Sequence, residues 1–466
     1  MEYKISLNEL QLKAINNITK FINSKHKNYL LLGPAGSGKT TIIINVFNSL
    51  KDKKIAFCAF TNKATQILKE TYNKFNINLN ADFLTIHTLL KLEPSYNNID
   101  LEFQFSTTKI KDLSYDIIVF DECSTISKEL YNYIKTLYTK NIKFIFLGDF
   151  WQLPPPKEKS SIIFKTCKNE KWPVSKLTKV MRATNESVYN INMSLLNIIE
   201  KIKVSNYLDS FHIEYPNNIL DIKEHNNIYI SKLDELIKFY LDEWENNDTT
   251  ILTYSRNNCI KINQLIQKER HPNGIENKFY KGDKCCIDKP IYISTVKEKY
   301  IDDDRYYTID KISTGKIYNG EIFKIINSVD IKLHTPYNDI IYKSNQNKNI
   351  SLYFDAQLIS IEKDGELIYL VHINENQVNQ MKMILKQNLS KVMYINVMTD
   401  FYSIYPVLNY GYCLTIYKFQ GSESHTIIVN LNSIKWSIKD NKQLFKATYT
   451  AITRAKSNIK LYWINN

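Results

Sequence analysis

Glycine is scarce in this chain, 11 residues out of 466, well under the roughly 7% typical of soluble proteins. So rare a residue is kept where the backbone needs positive φ or where a ligand comes close. Three of the eleven lie in "GPAGSGKT", and one each in "LGDF", "NYGYC" and "FQGSE", so the glycines themselves mark the segments worth reading. Paired cysteines are missing: the seven are scattered, with no Cys-x-x-Cys and no His at ligand spacing, which argues against a zinc module. Their odd number and the lack of a signal peptide lead to an expectation of reduced thiols in an intracellular protein. No run of residues approaches the roughly 18 apolar positions of a membrane-spanning helix, so no membrane partner is expected. Acidic residues are outnumbered 48 to 61 by Lys and Arg, a net charge of +13. That excess favours a polyanionic partner such as nucleic acid, although membranes and ribosomes fit it as well. With 44% hydrophobic and 12% aromatic residues, the chain has the composition of a folded protein and the length for several domains.

What is present begins with "NYLLLGPAGSGKTTIIINVF", an apolar strand, a Gly-rich turn and an amphipathic helix. Gly33-x4-Gly38-Lys39-Thr40 is the P-loop spacing in its expected context. The loop Gly33, Pro34, Ala35, Gly36, Ser37, Gly38, Lys39, Thr40 and Thr41 is expected to hold phosphates through the N–H groups of its residues other than Pro34, together with the helix N-terminus. Lys39 would reach the β- and γ-phosphates and the Thr40 hydroxyl would ligate Mg²⁺, making ATP and Mg²⁺ the expected cofactors. "YDIIVFDECSTIS" then reads as a buried strand that delivers Asp121 and Glu122 beside the loop, since ligands sit at the C-terminal edge of a parallel sheet. Asp121 is expected in the Mg²⁺ shell, and Glu122 is expected to polarise the attacking water. A Glu in that place points to an ATPase rather than a kinase. "KFIFLGDFWQLPPP" ends a further strand in Gly148-Asp149, and the amide of Gln152 can contact both γ-phosphate and water.

These motifs resemble those of superfamily 1 helicases, in particular the 5′-to-3′ group that includes RecD-like, Dda-like and Pif-type enzymes. "GDFWQLPP" is similar to that group's motif III and "LTKVMRAT" to its motif IV, with Arg182 in the place of an arginine finger. "LNELQLKAI" is similar to the Q-motif, which implies that Gln11 reads the adenine edge. "AFTNKAT" (Thr61, Asn62, Lys63) and "TIHTLL" (Thr85, His87, Thr88) fall where the family has strand-contacting motifs. "YCLTIYKFQGSES" is similar to motif V, which implies strand contacts from Thr415 and Lys418 and nucleotide contacts from Gly421 and Glu423. "ATYTAITRAK" is similar to motif VI, with Arg454 as the second finger. The set runs in order from Gln11 to Arg454. Two departures stand out: Tyr417 replaces the usual His, and Phe419 the usual small residue before Gln420. The resemblance also places Tyr254 or Arg256 near the adenine.

The resemblance implies an α/β fold of two RecA-like P-loop domains, the second interrupted by a β-rich, SH3-like barrel insertion. The expected boundaries are 1–185 for the first domain, with a small insertion at about 91–113. Residues 186–280 and 400–466 would form the second domain, and 281–399 the β-rich module. The small insertion holds Tyr96, Phe103 and Phe105, for which a duplex-splitting pin and ordinary core packing are equally open. The implied activity is that of an ATP-dependent DNA helicase translocating 5′ to 3′ on single-stranded DNA and engaging duplex junctions. It would act as a monomer in replication, recombination or repair, with proteins of those processes as candidate partners. An RNA helicase of the same superfamily and a P-loop ATPase that remodels protein–nucleic acid complexes are the alternatives.

Overall fold

The computed structural model describes residues 7–48, 50, 52–75, 80–96, 103–107, 113–139, 141–179, 229–244, 248–275, 278–301, 304–317, 320–337 and 353–463. Contacts divide the chain into two compact units, one of Met1–Lys91, Lys109–Ile262 and Cys413–Asn466, the other of Leu92–Thr108 and Asn263–Tyr412.

The first unit is α/β and contains two wholly parallel sheets. One has six strands in the order Ala81–Thr85, Ile55–Ala59, Ile117–Phe120, Lys143–Gly148, Asn28–Leu32 and Val174–Lys176. Its central strands ("NYLLL", "IAFCA", "IIVF") are hydrophobic apart from Asn28 at the start of the first and buried throughout, as strands covered by helices on both faces must be. Leu32 pairs with Gly148 and Phe120 with Phe146, so Gly33, Asp149 and Asp121 all leave the sheet at one edge. The second sheet has the order Cys413–Thr415, Thr249–Thr253, Ser424–Asn430, Ala455–Tyr462 and Tyr229–Ile230. The helix Asn441–Ile452 precedes its Ala455–Tyr462 strand, and Arg454 lies in the short turn between them.

The second unit is β-rich. It has a three-stranded sheet (Ile322–Lys324, Lys284–Ile287, Leu408–Tyr410) and a five-stranded sheet running from Ile291–Ile301 to Glu366–Ile373. The Asp-Gly at Asp364-Gly365, both at positive φ, turns the chain between the last two strands of the larger sheet. Residues Leu92–Tyr96 and Phe103–Thr107 form a separate antiparallel hairpin. The short-strand texture does not persist to residue 399: Glu375–Asn388 and Lys391–Ile404 are helices. Their N-caps are Asn374 and Ser390. Val378, Met381, Leu385, Met398 and Phe401 pack with Ile331, Leu333, Phe354 and Val371 of the sheet. A helical face at i, i+3 and i+7 outweighs the β character of the preceding run. All seven cysteines are free thiols, and no helix among the described residues is long and apolar enough to cross a membrane.

Candidate nucleotide site and sheet edges

A cavity of about 380 Å³ opens between the two parallel sheets. From the first sheet's side it is lined by the loop Ala35–Thr41, by Asp121, Glu122 and Gln152, and by Ala64, Ile67, Leu68 and Thr71; from the second by Gly421, Glu423, Thr453 and Arg454. The P-loop geometry needs glycine at two points, since Gly36 and Gly38 have φ of 73° and 83°, a region that costs other residues about 1–2 kcal/mol. Gly33 is needed for space instead, because a Cβ there would meet Ser37 Oγ at 2.5 Å.

Lys39 leads the helix Lys39–Phe47, and its Nζ donates to the Gly33 and Pro34 carbonyls at 2.8 and 3.0 Å. The Thr40 hydroxyl lies 3.4 Å from Asp121 Oδ2, and Asp121 Oδ1 accepts the Glu122 N–H at 2.8 Å. Burial pushes the Asp121 carboxyl up to about 6, with the Glu122 charge adding to the rise and Lys39 opposing it. That is the environment of a carboxylate built to face a cation. Glu122 itself sits in the left-handed region at φ 51°, strained for a non-glycine residue, as is common where function fixes the backbone. Across the cavity Arg454 donates from Nε to the Thr450 carbonyl at 3.2 Å and approaches Glu122 Oε1 at 3.4 Å. Gln152 is buried, its Oε1 accepting from Ser124 Oγ at 3.1 Å. An ammonium, a helix N-terminus, a hydroxyl–carboxylate pair and an arginine around one space fit a magnesium–nucleoside triphosphate.

Other residues implied by the resemblance are placed differently. Gln11 does not line the cavity; it is buried, its Oε1 accepting the Asn8 N–H in a capping box and its Nε2 donating to Ser37 O at 3.1 Å. It braces the P-loop from behind. Thr61, Thr85 and Thr415 each N-cap a helix that follows a strand, accepting from Ala64, Thr88 and Lys418 N–H respectively, and Thr88 Oγ1 bonds to Thr85 Oγ1 at 2.8 Å. Their hydroxyls are engaged in folding. Asn62 and Lys63 open the helix Asn62–Asn73. Arg182 lies outside the described residues.

The two sheets share a local arrangement at their outer edges. Ala59 pairs with Thr85 in one and Thr253 with Thr415 in the other. The next residue on the inner strand, Phe60 or Tyr254, meets the residue two beyond the edge strand, His87 or Tyr417. The ring centroids are 5.3 and 5.7 Å apart. Buried isoleucines, Ile86 and Ile416, anchor both short helices. Burial pushes the His87 imidazole down to about 4, so it is neutral, and the Tyr254 and Tyr417 hydroxyls lie 3.4 Å apart. Tyr254 thus pairs with Tyr417, and it does not line the cavity.

Sequence alone does not single out the face of the helix Asn441–Ile452 that carries Lys446, Tyr449 and Thr450. Their i, i+3, i+4 spacing just before Arg454 is the only signal. Burial pushes the Lys446 amine down to about 7 and raises the carboxyl of nearby Asp149, which Lys39 opposes.

Residues 15–157 match a family described as an AAA domain. An uncharacterized protein of Acanthamoeba polyphaga mimivirus is 26% identical over 495 aligned residues, spanning 97% of this chain and 99% of that one. The RecBCD enzyme subunit RecD of Buchnera aphidicola subsp. Schizaphis graminum is 25% identical, spanning 93% of this chain and 69% of its own. The ATP-dependent DNA helicase dda of Enterobacteria phage T4 is 24% identical, spanning 69% of this chain and 67% of its own.

Proposed function

We infer that this chain, which belongs to the 5′-to-3′ group of superfamily 1 helicases, is an ATP-dependent DNA helicase whose two parallel sheets close on one nucleotide. The observation that carries the reading is the shared cavity, with Lys39, Asp121 and Glu122 on one wall and Arg454 on the other. Lys39 would leave the Gly33 and Pro34 carbonyls for the β- and γ-phosphates. Thr40 and Asp121 would hold Mg²⁺, which when bound would supply positive charge against the charge developing on the phosphates. Glu122 takes the proton of the attacking water, and Gln152 orients that water. Arg454 neutralises charge on the transferring group, and Arg182 is its partner finger in this proposal. In the structure the proposed base and finger, Glu122 and Arg454, face one another at 3.4 Å. Nucleotide entry therefore separates two groups that both act on it, and the second sheet moves with the finger.

Single-stranded DNA would lie along the outer edges of both sheets, over the Phe60–His87 and Tyr254–Tyr417 pairs, with Asn62, Lys63 and Lys418 beside them. Bases stack on aromatic faces, and lysines release counterions from the phosphates. The β-rich unit would guide the strand. The experiment is unwinding of 5′-tailed, 3′-tailed and blunt DNA duplexes, with ATP turnover measured on DNA and RNA single strands. Displacement from the 5′ tail and turnover stimulated by DNA are expected. Displacement from the 3′ tail alone would overturn the polarity, and stimulation by RNA alone would overturn the substrate.

A further inference from the structure

The helix Asn441–Ile452, which leads into the turn bearing Arg454, is tied to the first sheet by one buried face. Lys446 Nζ donates to the Phe150 carbonyl at 2.6 Å and lies 4.5 Å from the centre of the Phe150 ring. Thr450 Oγ1 accepts the Leu153 N–H at 2.9 Å. Tyr449 is placed differently from both. Its hydroxyl accepts the Ala35 N–H at 3.2 Å and donates to Asp149 Oδ2 at 2.7 Å. An amide can only donate and a carboxylate can only accept, so the direction of that hydroxyl proton is fixed. One oxygen atom therefore joins the P-loop, the loop that carries Gln152, and the helix that leads into Arg454.

We propose that Tyr449 is a positioning residue for ATP turnover, its hydroxyl setting the approach of Arg454 to the nucleotide by fixing the last helical turn to Ala35 and Asp149. The inference rests on the helicase reading, in which Arg454 acts on the terminal phosphate. The link to Arg454 is short: its Nε is held by the carbonyl of Thr450, the residue after Tyr449. A shift of that turn moves the guanidinium with it, and a misplacement of about 1 Å can cost on the order of 10² in rate. Tyr449 and Thr450 are both buried, so water cannot readily replace the lost bonds. The ring has its own support, stacked on Phe445 at 6.1 Å between centroids. Tyr449→Phe therefore removes the oxygen and keeps the packing.

The test compares the parent, Tyr449→Phe, Arg454→Ala and the double variant for kcat and KM of ATP at saturating single-stranded DNA, with thermal midpoints alongside. Tyr449→Phe is expected to lower kcat by about 10- to 100-fold, the worth of one or two hydrogen bonds to charged or buried groups. KM should stay within about threefold, because ground-state binding does not use this oxygen. The double variant should be no slower than Arg454→Ala, since Tyr449 acts through that arginine. A Tyr449→Phe kcat within about threefold of the parent's, or a double variant slower than Arg454→Ala by the full single-variant factor, overturns the proposal. Should Tyr449→Phe lose its fold, Asp149→Asn addresses the same bond from the other end. With Asn Oδ1 kept by Trp151 N–H, the amide leaves the tyrosine proton without an acceptor, and the same kcat loss is expected; parental turnover there overturns the proposal. Parental turnover of Tyr449→Phe beside an active parent defeats this inference alone, whereas a parent that does not hydrolyse ATP defeats the helicase reading as well.

Discussion

Glu122→Gln separates the two things the Glu122–Arg454 contact does. The pair is 3.4 Å apart, with side chains 24% and 5% exposed. At that distance the attraction is about 5 kcal/mol with an effective dielectric near 20. Most of this is offset by desolvation, leaving a net contribution of about 1 kcal/mol for a pair open to solvent on one side. ATP must displace the contact, so Gln at this position should tighten nucleotide binding by about fivefold while keeping the cavity's shape. The backbone does not object, because Glu122 at φ 51° is as strained with Gln as with Glu. Turnover should fall by about 10²–10⁴, since an amide cannot accept the water's proton. Fluorescent-nucleotide titration and steady-state hydrolysis read the two effects separately. Nucleotide binding weakened by tenfold or so would refute the idea that nucleotide displaces this contact, and turnover within about threefold of the parent would refute the base.

Lys39→Ala should abolish turnover but cost at most about 2 kcal/mol of stability, because the ammonium's partners are two neutral loop carbonyls and each such bond is worth about 1 kcal/mol; denaturant titration beside a hydrolysis assay checks both halves. The pH dependence of stability should carry the mark of His87 and His372, which burial holds down to about 4 from 6.5. Their folded values lie below the unfolded one, so the unfolded chain binds more protons between about pH 6.5 and 4. Stability is therefore full above that window and lost as pH falls through it, by about 3 kcal/mol per histidine. His372→Gln should flatten the slope between pH 6.5 and 4, and an unchanged slope in urea midpoints would contradict the burial argument.

The parts of the site legible in the sequence are those in which neighbouring residues do one job together. "GPAGSGKT" is readable because spacing along the chain is spacing around a phosphate, and "IIVFDE" because a strand buried on both faces is apolar until it reaches its edge. Contacts set by tertiary folding are not readable in this way. Nothing near Glu122 announces Arg454, 332 residues away. Threonines that the resemblance assigns to strand contact serve as N-caps, a role any Thr before a helix can take. Gln11 sits three residues after Asn8, and that spacing is a capping-box signal as much as a Q-motif. The helices Glu375–Asn388 and Lys391–Ile404 follow a run of strands with no glycine or proline between, so composition does not mark where the β texture ends.

In the proposed reading, strand binding and nucleotide turnover would meet in the helix Asn62–Asn73. Its N-cap Thr61 adjoins Phe60 at the aromatic edge, while Ala64, Ile67, Leu68 and Thr71 line the cavity. The turn that bears Gly421 comes from the second sheet onto the start of this helix. A Cβ at Gly421 would lie 3.1 Å from Ala64 Cβ and 3.4 Å from Thr61 Oγ1, and its φ is 77°. Glycine is thus required twice, for the backbone and for the close approach. Gly421→Ala should cost about 1–2 kcal/mol from the left-handed backbone alone and hold the two sheets slightly apart. A pushed-back turn also displaces Thr61 and the aromatic pair beside it, so the damage should fall on coupling more than on nucleotide binding. Hydrolysis without DNA should change little, stimulation by single-stranded DNA should drop by about tenfold, and nucleotide affinity should stay within about threefold. If stimulation survives intact while the thermal midpoint falls, the Gly421 contact holds the fold together and transmits nothing.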